Sequence, residues 1–457
     1  MRGAIAAGSR QAAEAGAWAL TEGGTAVDAA VAAVLAAFVS EGPLTGPAGG
    51  GFVMFEEAGG VVTSLDCFFA VPAAPPGVMD EVVIDFGDAS TQVFHVGPAS
   101  VATPGLVQGL AVAHARGGRL AWHSLARPAI ELARRGFQTT PEQAFLIEIL
   151  VPILQRQAEG RHIYGAPGSV CTDRLVPALE LIADAGADAI PELFPDLNGD
   201  LERYEVIDRE PVSVEFAGAT VLATPEPSVG GKVVRAALEV LERAGRDSAL
   251  GSAEEAVALA RALAAGYGDA AAATGGVKPT GTTNVSVVDV DGAVAVISST
   301  LGSGSGVFTH GFQLNNMLGE LDVIGTLPRE PYARLPSMMT PTVAVNDGRP
   351  RLVVGSAGSV RLSGAIVQVV AATIGRGLSV GEAIDRPRVH VDGRLVHVEG
   401  GWAAEVAAAL EADGWEVVRW ADRNLFFGGT SAVELLASGE LRAAGDPRRG
   451  GVGLVVS

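Results

Sequence analysis

Residues 281–300, GTTNVSVVDVDGAVAVISST, constrain the fold more than any other stretch of the chain. Apolar and polar residues alternate on both sides of Asp291-Gly292, and a period of two around an Asp-Gly pair predicts an antiparallel hairpin. A Gly281-Thr282-Thr283 triplet stands directly before it. The same alternation recurs in TPTVAVNDGRPRLVVGS, RLVHVEG and GTSAVELLASGELRAAGD, so the chain after Thr282 reads mainly as strands. Between them, LSGAIVQVVAATIG reads as an amphipathic helix.

Before Thr282 the period changes. The Ala-rich stretch from Gly3 to Phe38 carries apolar residues three and four apart, which predicts two helices separated by a turn at Gly23-Gly24. Next, GPAGGGFVMFEEAGGVVTSLD, Gly46 to Asp66, predicts hairpin-linked strands, and Pro72, Pro75 and Pro76 open a loop. From Thr103 to about Thr274 helical stripes dominate, as in SLARPAIELARRGF and SAEEAVALARALAAGY. Strands from both ends of the chain, with helices from the middle and the C-terminal third, predict one layered α/β body.

The formal net charge of −20 argues against nucleic acid or an anionic membrane as a partner, because both are held by excess Lys and Arg. Cys67 and Cys171 fall in no CxxC or CxxH spacing, which predicts two buried free thiols, no disulfide framework and no metal site. Arg10 and Glu14 interrupt the N-terminal stretch before an apolar signal core could form, and no run of about 18 apolar residues suits a membrane. A cytoplasmic location is expected. GPAGGGF has the glycines of a phosphate loop but lacks its Gly-Lys-Ser/Thr ending.

Taken alone, a threonine at the start of a strand caps a turn and suits a sheet. A series of blocks in fixed order changes that reading: GGTAVDAAVAA, GPAGGGFVMF, PGLVQGL…RPAIELARRGF, GTTNVSVVDVDG, GFQLNNML, PSMMTPT, GSAGSVR and GDPRRGG. Over essentially its whole length the sequence resembles the gamma-glutamyltransferase family of N-terminal-nucleophile hydrolases. The resemblance implies a four-layer αββα sandwich, α/β in class, that needs no metal and no organic cofactor. It also implies a precursor that cuts itself between Gly281 and Thr282 into a large subunit, 1–281, and a small one, 282–457, intertwined in one globular domain. A glycine before the cut lets the Thr hydroxyl reach the preceding carbonyl, and the freed α-amine, with an ordinary pKa of about 7.7 to 8.0, serves as base for its own hydroxyl. No histidine is required, and of the seven only His310 lies near a family block.

By the same resemblance Thr282 is the nucleophile, Thr283 follows it as in the family, Thr300 positions it from the next strand, and Gly358 and Ser359 offer N–H groups to an oxyanion. The substrate positions depart from the pattern. Phe68 stands where the family has the arginine for the glutamyl carboxylate, and no arginine lies between Arg10 and Arg116. Gly302, Met317 and Met338 replace Asn, Gln and Ser, Ser337 is kept, and Glu320 stands for the Asp that holds the substrate amine. Losing the bidentate arginine removes about 2 to 5 kcal/mol of binding.

The expectation is therefore an acyl amide donor other than ordinary glutathione, with water or an amine as acceptor. Glutamyl specificity is doubtful. Two alternatives stand beside it: a C–C bond hydrolase of specialised metabolism using the same threonine, and a catalytically idle scaffold of the same fold. The sequence is compatible with a homo-oligomer and does not fix the number of subunits.

Overall fold

A computed structural model describes residues 2–57, 60–74, 78–85, 91–274, 281–321 and 330–457. Two antiparallel sheets lie face to face. The first has seven strands in the order Val452–Val456, Gly3–Ala7, Gly281–Asp289, Val294–Gly302, Gly50–Glu57, Val61–Cys67, Ile207–Arg209. The second has six: Leu441–Gly445, Gly429–Leu435, Arg349–Ala357, Thr342–Asn346, Ala219–Ala223, Val212–Phe216. Between the sheets, Ala4, Ala6, Met54, Val288, Val294 and Val296 pack on Val343, Val353 and Val433.

Strand periodicity sends the alternate residues outward. Val285 and Val287 of the central strand join the helices Arg10–Thr21, Ala26–Ser40 and Leu106–Gly117 in one outer core. On the far side, Gly230–Ala244, Ala253–Thr274 and Arg361–Arg376 cover the second sheet. The order of layers is helix, sheet, sheet, helix. Helix Ala26–Ser40 is buried along its whole length, and a capping box between Thr25 and Asp28 starts it. Among the described residues no helix is long and apolar enough to cross a membrane.

Three expectations need correction. Gly3–Ala7 is a strand, not the start of a helix: its small residues are held between Val452–Val456 and Gly281–Asp289, and this pairing overrides alanine's helix propensity. The helical stretch from Thr103 to Thr274 also contains strands, notably the hairpin Val212–Phe216 and Ala219–Ala223, which turns through positive φ at Ala217 and Gly218. Cys67 is buried but Cys171 is exposed. The RLVHVEG strand, Leu395–Val398, forms as expected, a hairpin with Val389–Asp392 across Asp392-Gly393 that adds Glu416–Arg419 in parallel in a small sheet outside both layers. Of the proline loop, Pro75 and Pro76 fall outside the described residues.

A buried ion network fixes the end of the second sheet nearest Thr282. Arg388 pairs with Asp446, and Arg448 with both Glu399 at 2.6 Å and Asp446 at 3.1 Å, with all four side chains almost fully removed from solvent. Arg388 also donates to the carbonyls of Phe427 at 3.1 Å and Gly428 at 3.0 Å, while Asp446 accepts the Thr430 N–H. Burial pushes the Asp446 carboxyl up, but Arg388, Arg448 and the N–H donors outweigh it and hold it below the usual carboxylate range. Replacing one member strands the others, so Asp446→Asn is expected to cost about 3 kcal/mol or more in urea unfolding at pH 7. Because the folded pKa is depressed, this contribution exists above the unfolded value of about 3.9 and disappears as the pH falls through the folded one.

Candidate active site

The pairing of Gly281–Asp289 with Val294–Gly302 slips between Gly281, which faces Gly302, and Thr283, which faces Ser299. The slip leaves Thr282 opposite Thr300 and Leu301, an irregularity of the kind that re-aims side chains at functional sites. Thr282 points with Asn284, Ser286 and Val288 toward the second sheet, and Thr283 points the other way. The Thr300 hydroxyl donates to the Gly281 carbonyl and accepts the Gly302 N–H at 2.8 Å. A Cβ on Gly281 would meet the Gly302 carbonyl at 2.7 Å and Leu44 at 2.9 Å, so the residue before Thr282 must be small.

Phe68, Thr282, Thr300, Met317, Ser337, Met338, Met339, Ser359 and Leu362 line a cavity of about 20 Å³, room for about one water. None of these residues is charged, and none is histidine. Phe68 is fixed as a wall, stacked on Phe52 at 5.4 Å and edge-on to Phe69 at 4.9 Å between ring centres. An arginine the sequence reading missed, Arg334, lies behind it. Its guanidinium donates to the Phe68 carbonyl at 2.7 Å and to the Glu205 carbonyl, pairs through Nε with buried Asp66 at 3.7 Å and sits over the Tyr204 ring, so these donors are engaged away from the cavity.

The remaining positions divide. Glu320 does not line the cavity: its Oε1 accepts from the Ser303 N–H at 3.0 Å and the Ser303 hydroxyl at 2.7 Å. Gly302 has φ +70°, and a Cβ there would meet Asn316 Oδ1 at 2.2 Å, so Asn316 fills the space an asparagine side chain would take. Ser337 Oγ accepts the Met339 N–H at 3.1 Å. Gly358 and Ser359 both have positive φ, +124° and +59°, and directly precede helix Arg361–Arg376. Such a turn bunches N–H groups at the positive end of a helix, a setting for negative charge.

A second cavity, about 60 Å³, is lined by Thr282 as well as Thr283, and by Glu41, Leu146, Tyr164, Val170, Arg448 and Arg449 among others. Glu41 caps the C-terminus of helix Ala26–Ser40, and its Oε2 accepts the Thr283 hydroxyl. Burial pushes its carboxyl above the usual carboxylate range, against the opposing pull of Thr283, Ser9 and Arg449. The sequence did carry a signal for Glu41: an acid at the end of a buried alanine-rich helix opposes the helix dipole and needs a reason to be there.

Comparison with known proteins places this geometry. The family model described as Gamma-glutamyltranspeptidase matches residues 12–190 and 272–456. The chain belongs to the gamma-glutamyltranspeptidase family. It is therefore an N-terminal-nucleophile hydrolase. It is 27% identical to a protein named glutathione hydrolase proenzyme from Escherichia coli (strain K12), over 98% of this chain and 90% of that protein. It is 28% identical to one named acylase ACY 1 proenzyme from Pseudomonas sp. (strain V22), over 100% of this chain and 94% of that one. In fold it matches the cephalosporin acylase from Bacillus halodurans with a TM-score of 0.85 at 20% identity, over 99% of this chain and 95% of that one. The four-layer αββα sandwich is thus that of the N-terminal-nucleophile hydrolases.

Two outcomes are expected. Because the folded pKa of Glu41 is raised, the native state holds a proton there more tightly than the unfolded chain and loses stability as the pH rises from about 4 toward the folded pKa. Glu41→Gln lacks this loss, so its stability relative to the parent, measured by denaturant unfolding, should grow over that interval. Ser359 holds a left-handed φ that glycine adopts freely, so Ser359→Gly should raise stability by about 1 kcal/mol in the same assay.

Proposed function

We propose that this protein cuts itself between Gly281 and Thr282 and then uses the freed Thr282 to open an acyl amide whose acyl group is apolar and carries no carboxylate. The observation that carries the reading is the Thr300 hydroxyl on the Gly281 carbonyl, beside Thr282 and a cavity walled by Phe68, Met317, Met338 and Met339. A hydrogen bond to that carbonyl polarises it and favours the oxyanion that forms when the Thr282 hydroxyl attacks. The attack makes a C–O bond and breaks the Gly281–Thr282 C–N bond, giving an ester that water opens. The chain is left with Gly281 as a carboxylate and Thr282 as a free amine.

In the mature form the amine takes the proton from its own hydroxyl, which attacks the substrate carbonyl. The leaving amine departs with that proton, and water or a second amine releases the acyl group from Thr282. Gly358 and Ser359 act as the oxyanion donors, with the helix Arg361–Arg376 behind them. Thr283 and Glu41 brace the strand from the opposite face. Relatives named proenzymes support a self-cut precursor, and one named an acylase supports an acyl group outside the glutamyl class. With Arg334 engaged by the main chain and Asp66, and Glu320 by Ser303, neither end of a glutamyl head group finds a charged partner at the wall of the cavity shared by Thr282, Thr300 and Phe68.

Intact mass should show two polypeptides meeting at 281/282 in the parent protein and one in Thr282→Ala, which should also lose all turnover. Against matched p-nitroanilides, a short uncharged acyl group such as propionyl should exceed gamma-glutamyl in kcat/KM by about 30-fold or more, the equivalent of at least about 2 kcal/mol. An uncut parent, or a gamma-glutamyl preference, overturns the corresponding half of the proposal.

A further inference from the structure

The cysteine spacing in the sequence predicts no metal site, yet the fold gathers His162, Cys171 and Asp173 at one surface point. His162 lies on the helix Ala158–Tyr164, Cys171 follows the short strand Ser169–Val170, and Asp173 begins a 3-10 turn. Main-chain and buried contacts hold these pieces together: the Cys171 N–H donates to the Ile163 carbonyl at 3.0 Å, and the buried Thr172 hydroxyl to the Ala133 carbonyl at 3.1 Å. The backbone beneath the three side chains is tied on both sides.

The three contacts use only three atoms. His162 Nε2 lies 3.2 Å from Asp173 Oδ1, Cys171 Sγ lies 3.5 Å from the same Nε2, and Cys171 Sγ lies 3.2 Å from the same Oδ1. A nucleophilic Cys-His-Asp relay uses opposite nitrogens of the imidazole, one toward sulfur and one toward carboxylate. Here sulfur and carboxylate crowd one nitrogen, so a relay is ruled out. A closed triangle of N, S and O is instead one face of a tetrahedron. Zinc bonds of about 2.0 Å to N and O and about 2.3 Å to S, at tetrahedral angles, set these edges at about 3.3 Å for N to O and about 3.5 Å for each edge to sulfur. The found edges lie within a few tenths of an ångström of all three.

We propose that His162, Cys171 and Asp173 bind one borderline-soft divalent cation, Zn²⁺, with the fourth position open to solvent. Thiolate and imidazole together favour zinc over magnesium or calcium, which take oxygen ligands. Binding displaces the Cys171 thiol proton to solvent and leaves sulfur as the anion. The ion would staple the helix Ala158–Tyr164 to the strand Ser169–Val170, and these two elements supply Tyr164 and Val170 to the wall of the second cavity. The site is separate from the nucleophile and does not rest on the function proposed above.

The test uses the full-length protein, reduced with a non-chelating phosphine, stripped with a chelator and dialysed. Titration calorimetry with Zn²⁺ alone should give one ion per chain, and Co²⁺ alone should give a thiolate-to-cobalt charge-transfer band in the near ultraviolet. Cys171→Ser should abolish that band, and Cys171→Ser and His162→Ala should each weaken zinc binding at least about tenfold. Circular dichroism of each variant checks the fold. Absence of zinc uptake by the parent, a cobalt spectrum without the thiolate band, or zinc affinity equal to the parent's in Cys171→Ser and His162→Ala overturns the assignment.

Discussion

The structure turns on one irregular strand pairing. A regular ladder between Gly281–Asp289 and Val294–Gly302 would bury Thr282 as an ordinary sheet residue, its backbone engaged on both sides. The slip between Gly281 and Thr283 brings a hydroxyl from the neighbouring strand onto the carbonyl before Thr282. Everything around this point keeps that slip in place. Gly281 has no room for a side chain, Gly302 folds back under Asn316, and Thr283 is tied from behind to Glu41. A local defect of this kind survives only where its surroundings determine it more strongly than the regular alternative would.

The second sheet contributes rigidity of another sort. The Arg388, Arg448, Asp446 and Glu399 network is buried and densely hydrogen-bonded, with only Arg388 Nε left without a partner among the described residues, and it holds the turn through Phe427 and Gly428. Gly428 in turn packs so closely on Gly358 that a Cβ at Gly358 would meet its Cα at 2.8 Å. The turn of Gly358 and Ser359 is therefore positioned by charges some distance along the chain. Ion pairs of this type add little net stability over an apolar replacement, but they fix one arrangement of the backbone.

How much of this was legible in the sequence differs by feature. The hairpin around Asp291-Gly292 and the stripe of helix Arg361–Arg376 were readable because period and turn chemistry are local. The block order located Thr282, Thr300 and Ser359, and the structure brings all three to one cavity. Gly3–Ala7 was misread because alanine favours a helix unless neighbouring strands claim its backbone, and those neighbours lie hundreds of residues away. Arg334 and the His162, Cys171 and Asp173 group were invisible for the same reason: what they touch is set by chain crossings, not spacing. Glu320 was read by its place in a block, but its longer side chain ends on Ser303.

The order of strands in the seven-stranded sheet also bears on timing. Gly3–Ala7 sits between Gly281–Asp289 and Val452–Val456, so the segment pairs with partners translated hundreds of residues after it. The seven-stranded sheet around Gly281 and Thr282 cannot be finished on a fragment that stops short of residue 452. Contacts that need the finished sheet form only once this late strand has been added, an ordering imposed by topology alone.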